Sequence, residues 1–241
     1  MKRGGRIDFG MYAAALPKLA THPAILLAPL LAALLDILVA STSRFLTDPL
    51  GGFGQSLFSF FVQIAYLFAF GVAVIFASNI WRGQRASFDS AWEESTRKAG
   101  GIAMAAIGFQ FIVFAASYVG GILGAFGAIA LQLLAYFFLI LTIPAAAIGG
   151  LPGAMAISGS IRAVRANPLG SLVLAVVFVA LWVYLPILLS PYLVSALVVV
   201  PAGYTVIVYN LAIALLHAIV IAYLAFPFAK QYDDTAFRAL W

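Results

Sequence analysis

The chain has 241 residues, of which 65% are hydrophobic and 9% charged, against roughly 25% charged in an average soluble domain. That balance predicts a polytopic membrane protein whose polar intervals are too short for a second soluble domain or an attached catalytic module. The absence of cysteine excludes disulfides, thiolate chemistry and thiolate metal sites together, and the net charge of +5 does not point to nucleic acid, because the basic residues flank apolar blocks where anionic lipid is their natural partner.

Lys2, Arg3 and Arg6 open the chain, followed by Phe9, Tyr12, Ala13 and Leu16 at helical spacing and then Lys18. This reads as an amphipathic surface helix, kinked near its end by Pro17. Residues 23–41 form the first apolar block. A Val-Ala-Ser run near its end mimics a signal-peptidase site, but the charged lead is too long and contains Asp8, so cleavage is not expected. A loop carrying Arg44 and Asp48 leads to the second block, about 57–78.

Residues 81–101, WRGQRASFDSAWEESTRKAGG, hold four of the thirteen basic residues (Arg82, Arg85, Arg97, Lys98) and three of the eight acidic ones (Asp89, Glu93, Glu94). From Ser87 the stretch reads as a second surface helix. Phe88, Ala91, Trp92, Ser95 and Ala99 share one face and the charges the other. Ser87 caps the start, Glu93 to Arg97 and Glu94 to Lys98 are i,i+4 pairs, and Gly100 and Gly101 are the expected stop.

The third block runs over about 102–124 and the fourth over about 128–148, joined by a charge-free, glycine-rich turn. In the following interval Ile157, Ile161 and Val164 share a face flanked by Arg162 and Arg165, which makes a third surface helix. Between Arg165 and Lys230 lie 64 almost wholly apolar residues, and charge sidedness requires an even number of crossings, here two. Two spans leave a surplus at PYLVSALVVVP, residues 191–201, which is either an outer extension of the fifth helix or a re-entrant segment. The sixth block covers about 203–228, and AKQYDDTAFRALW returns to water.

Basic residues set the orientation. Four lie in the amino-terminal arm, four after the second block, two after the fourth and two in the tail, twelve of thirteen on one side with Arg44 alone opposite. The expected fold is therefore all-α, with six transmembrane helices as three hairpins, each preceded by an interfacial helix, and both termini cytoplasmic. The junctions ALPKLATHPAILL, EESTRKAGGIAM and IRAVRANPLGSL align on Pro23, Gly101 and Pro168, which suggests a three-fold repeat over residues 6–78, 87–148 and 154–228 within one membrane domain.

The stretches WRGQRASFDSAWEESTRKAGG and PAAAIGGLPGAMAISGSIRAVRANPLGSL resemble the bacterial YciC-like proteins and the membrane domain fused to some glycerophosphodiester phosphodiesterases. Members usually carry an acidic residue and a Ser-Trp pair in the second unit, where Gly149, Ser158 and Ile161 stand here. The resemblance implies a six-helix fold in a bacterial inner membrane. The phosphodiesterase barrel is absent, so its activity is not implied.

Asp36 lies inside LAALLDILVA, and an isolated carboxylate in hydrocarbon costs about 2.5 to 3.5 kcal/mol. Its candidate partners are Asn210 and His217, which share a face in YNLAIALLHAIV. Such a cluster is a proton or cation path, a polar clamp between first and last helices, or an acid snorkelling to the outer interface. Gln63, Gln110 and Gln132 read as interhelical hydrogen-bond glue, Gly120 and Gly124 as a G-x-x-x-G close approach, and GGLPG as a hinge rather than a P-loop. No H-E-x-x-H or G-x-S-x-G occurs and two histidines do not make a usual zinc site, so no catalytic residue, metal or cofactor is expected. Arg82, Arg85, Phe88, Trp92, Arg97, Lys98, Arg162 and Arg165 form the expected lipid-headgroup or docking surface. The expected function is that of an accessory or scaffold subunit with protein partners in the membrane. The alternative is a handler of lipid or small solute, with a hydrated cavity lined by Asp36, Asn210 or His217.

Overall fold

The structure is a computed structural model that describes residues 7–47 and 51–239, with side chains described for 7–39, 58–201 and 204–235. Lys2, Arg3, Arg6 and Asp48, and the side chains of Arg44 and Arg238, lie outside it. Every regular element among the described residues is helical. Five helices are long and apolar enough to cross a membrane, or six if the bent pair at the start counts as one span.

Helix α1 (Gly10–Thr21) runs four residues past Pro17. It meets the next apolar helix at 96°, through His22 (φ −130°, ψ 62°) and a 3-10 turn at Pro23–Leu26. The cause is local. Proline drives the residue before it out of the α region and lacks the N–H to continue the ladder. The same device recurs at Asn167 (φ −143°, ψ 72°) before Pro168, where the asparagine side chain also accepts from Gly170 N–H.

Beyond the first joint come α2 (Leu27–Thr47) and α3 (Gly51–Trp81). Next is α4 (Phe88–Arg97), capped by Ser87, whose Oγ accepts from Ser90 N–H at 3.2 Å. Its end differs from the expectation. Lys98 closes α4, and Gly100 and Gly101 lie inside α5 (Ala99–Ile122) instead of stopping a helix. The glycine at 101 serves proximity, because a Cβ there meets Pro152 Cα at 3.5 Å and Gly153 N–H donates to Gly101 O at 3.4 Å.

Helix α6 (Ala125–Leu139) turns back along α5. Gly120 packs against Gly127 rather than pairing with Gly124, which forms the turn at φ +88°; a Cβ on Gly120 falls 2.5 Å from Gly127 O. The fourth block is not one helix. It breaks after Leu139 and resumes as α7 (Thr142–Ala147). Buried Ser160 spans the break, accepting from Leu141 N–H at 3.0 Å and donating to Phe138 O at 2.8 Å.

Ser160 belongs to α8 (Ala154–Ala166), whose buried face is Ala156, Gly159, Ser160, Ala163 and Val164. That corrects the expected Ile157, Ile161 and Val164 face. Small residues bring α8 close to its neighbours and leave Ile157 and Ile161 half-buried. After the joint, α9 (Pro168–Val179), a π turn (Ala180–Tyr184), α10 (Leu185–Ala196) and a 3-10 turn (Leu197–Val199) form one helical run. Residues 191–199 are thus a helical extension of the fifth apolar helix. Pro186, which cannot donate in the ladder, follows directly on the π widening. The last helix is α11 (Ala202–Ala239).

Helices α3 and α11 form the centre. In their most apolar stretches 61% and 56% of residues are buried, against 28% or less for the other candidate spans. They run parallel, since Tyr66 meets His217 and, further on, Ser78 and Arg82 both meet Asp233. At that end the chain's polar groups gather. Arg82 bonds Asp233 at 2.7 Å, Trp81 Nε1 donates to Phe226 O at 2.9 Å, Lys18 lies 4.4 Å from the Trp81 ring, and Gln231 donates to Ser171 at 3.2 Å.

Candidate functional site

Two candidate sites follow, one inside the bundle and one at its polar end. Inside, α2 brings Asp36 against α3, where the buried phenol of Tyr66 donates to Asp36 Oδ2 at 3.0 Å. The Tyr66 ring stands edge-on to Trp182 and His217, with centroids 5.6 and 5.8 Å away, and those two rings lie 5.0 Å from each other. His217 Nδ1 is buried without a hydrogen-bond partner. The π turn between α9 and α10 carries Trp182 into this group.

The cluster is therefore Asp36, Tyr66, Trp182 and His217. The Asn210 side chain makes no hydrogen bond to a described residue. It sits seven residues before His217, about 10 Å along the helix, where the polar contact is Ser190 with Tyr209 at 2.8 Å. Tyr66 was not legible as the partner of Asp36, because it reads as one more aromatic in FVQIAYLFAF. Its hydroxyl among phenylalanines is the signal that was there to use.

Beside Tyr66 lies a cavity of about 30 Å³, lined among others by Gln63, Gln110, Tyr136, Phe178 and Trp182. Since one water needs about 10 to 15 Å³ of such volume, it has room for about two or three waters. None of Asp36, Asn210 and His217 lines it. No group of three or more histidine, aspartate or glutamate side chains converges on one point among the described residues.

At the polar end, α4 makes the two expected ion pairs, Glu93 with Arg97 at 3.6 Å and Glu94 with Lys98 at 2.6 Å. Lys98 also donates to Ala147 O at 2.8 Å, tying α4 to the end of α7. Phe88 and Trp92 stack on each other, and Trp92 meets Phe68 of α3 edge-on. Trp92 thus docks α4 on the bundle while keeping 41% of its surface exposed. Arg82 is spent on Asp233. Arg85 is exposed in the turn before α4, and Arg162 and Arg165 are exposed on α8.

The class that this architecture defines is an all-helical chain with five to six helices apolar enough to cross a membrane, tied together at one charged end. Comparison with protein-family models, curated proteins and solved structures gives no match, so function is read from the geometry alone.

Proposed function

We propose that the chain is a non-catalytic accessory or scaffold subunit of a larger membrane assembly. It crosses a bacterial inner membrane six times as three hairpins, with α1, α4 and α8 lying at the cytoplasmic interface and both termini on that side. The observation that carries the reading is the contrast between inside and outside. The cavity beside Tyr66 is only about 30 Å³, while on α5, α6 and the α9–α10 run fewer than a third of the residues in the most apolar stretch are buried. On α5 and α6 the uncovered positions include Phe111, Phe114, Tyr118 and Phe126. A right-angled turn into the first apolar helix agrees with α1 lying flat on the membrane.

Photo-crosslinking amino acids placed at Phe111, Phe114 and Phe126 in cells test the reading. Discrete protein adducts are expected. Lipid adducts alone at all three positions would overturn it.

A second reading, the handling of a small solute or lipid, draws on the Asp36, Tyr66 and His217 group beside a water-sized cavity. It requires a second conformation with a wider interior.

A further inference from the structure

Eight basic side chains are described, and most are already committed. Arg82, Arg97, Lys98 and Lys230 each hold a carboxylate within 4.0 Å, and Lys18 lies over the Trp81 ring. Among the described residues this leaves Arg85, alone in a turn, and the pair Arg162 and Arg165. The pair stands on α8, AMAISGSIRAVRA, which contains no acidic residue. Arg162 has the Tyr232 phenol within electrostatic reach and pairs with none of the described carboxylates within 4.0 Å.

At i,i+3 the two arginines share a helix face with their Cβ atoms about 5 to 6 Å apart, close enough for both guanidinium groups to reach one anion. That face borders a shallow, open depression lined by Ala154, Met155, Ser158, Ile161, Arg162 and Arg165. On the helix face Ser158, Arg162 and Arg165 lie between half-buried Ile161 and Met155, which is 58% exposed. Past the proline joint α9 exposes Leu169, Leu172 and Val176, at i, i+3 and i+7.

We infer that α8 is a binding site for an anionic phospholipid. The phosphate is held between Arg162 and Arg165, whose planar forks match phosphate oxygens. Ser158 supplies a further donor, and the acyl chains lie against Met155 and Ile161. A free phosphate leaves the exposed Met155 beside it in water, so the occupant carries both chemistries. Helix α4 is the natural contrast, because Glu93 and Glu94 already neutralise Arg97 and Lys98. The inference rests on α8 lying at the interface, as proposed above.

The test uses the full chain in nanodiscs of mixed phosphatidylglycerol and phosphatidylcholine, released into native mass spectrometry. The unaltered protein is expected to retain phosphatidylglycerol in preference to phosphatidylcholine. Arg162→Gln with Arg165→Gln is expected to cut that retention about tenfold, and Arg97→Gln to leave it unchanged. Equal retention of the two lipids by the unaltered protein overturns the inference, which keeps the test decisive even if the double variant folds poorly. So does unchanged retention by a folded double variant. Displacement of the lipid by millimolar inorganic phosphate also overturns it, in favour of a free-anion site. Thiol labelling of Ser158→Cys from the cytoplasmic side reports separately on the interfacial placement of α8, and adducts at Phe111 report on the scaffold reading, so the failures are distinguishable.

Discussion

The phenol of Tyr66 donates to the carboxylate of Asp36 at 3.0 Å, across two helices that are neighbours in sequence. The acid of the first apolar helix is thereby held inside its own hairpin, while His217 of the last helix packs edge-on against the Tyr66 ring and lies within electrostatic reach of Asp36.

Tyr66→Phe removes that donor and leaves a carboxylate in apolar surroundings. A loss of about 2 kcal/mol is expected, as for other hydrogen bonds to charged groups. Thermal unfolding in mild detergent measures it. Asp36→Leu on the Tyr66→Phe background should recover most of the loss, since removing both partners is nearly neutral. Full stability in Tyr66→Phe alone would show that the bond contributes nothing.

Ser160→Ala strips both hydrogen bonds from the break between α6 and α7, leaving the buried Leu141 N–H and the half-buried Phe138 O without this partner. The expected cost is about 1 to 3 kcal/mol. Amide hydrogen exchange at Leu141 should quicken, while exchange in the α3 interior should be little changed. Protection at Leu141 equal to that of the unaltered protein would contradict the assignment.

Gly120→Ala places a methyl group on the backbone of α6, which cannot yield as a side-chain tip would. It should destabilise by about 1 to 3 kcal/mol. Gly121→Ala, with no neighbour within 4 Å of its added Cβ, is the control and should change stability by less than about 0.5 kcal/mol. Equal effects would refute the close crossing at Gly120 and Gly127.

Because the chain has no cysteine, single introduced thiols report sidedness without background. With membrane-impermeant reagents, Ser90→Cys and Ser158→Cys should label from one side and Leu123→Cys from the other. Labelling of all three from the same side would refute the hairpin topology.

Much of the architecture was legible in the chain because it follows from two periodic signals. Apolar length gave the spans, and mixed charge at i,i+4 gave α4 with its two ion pairs at the expected positions. The misreadings share a physical origin. Glycine signals both a helix stop and a close approach, so Gly100 and Gly101 read as an end where the chain continues. Small residues carry little hydrophobic signal, so α8 was assigned its bulkier face although Ala156, Gly159 and Ala163 are the ones that pack. The partner of Asp36 was sought among polar residues on the last helix, whereas a tyrosine hides its hydroxyl in an aromatic run. Which cations are free to meet a ligand is a property of their neighbours, and only the geometry separates Arg162 and Arg165 from Arg97 and Lys98.

The bond between Tyr66 and Asp36 also bears on how the chain is made. At about 5 to 20 residues per second, Tyr66 leaves the ribosome only seconds after Asp36, whereas His217 emerges roughly 8 to 30 s after Tyr66. The first hairpin can therefore enter the bilayer with its acid already hydrogen-bonded to Tyr66, before the helix that carries His217 docks against that pair.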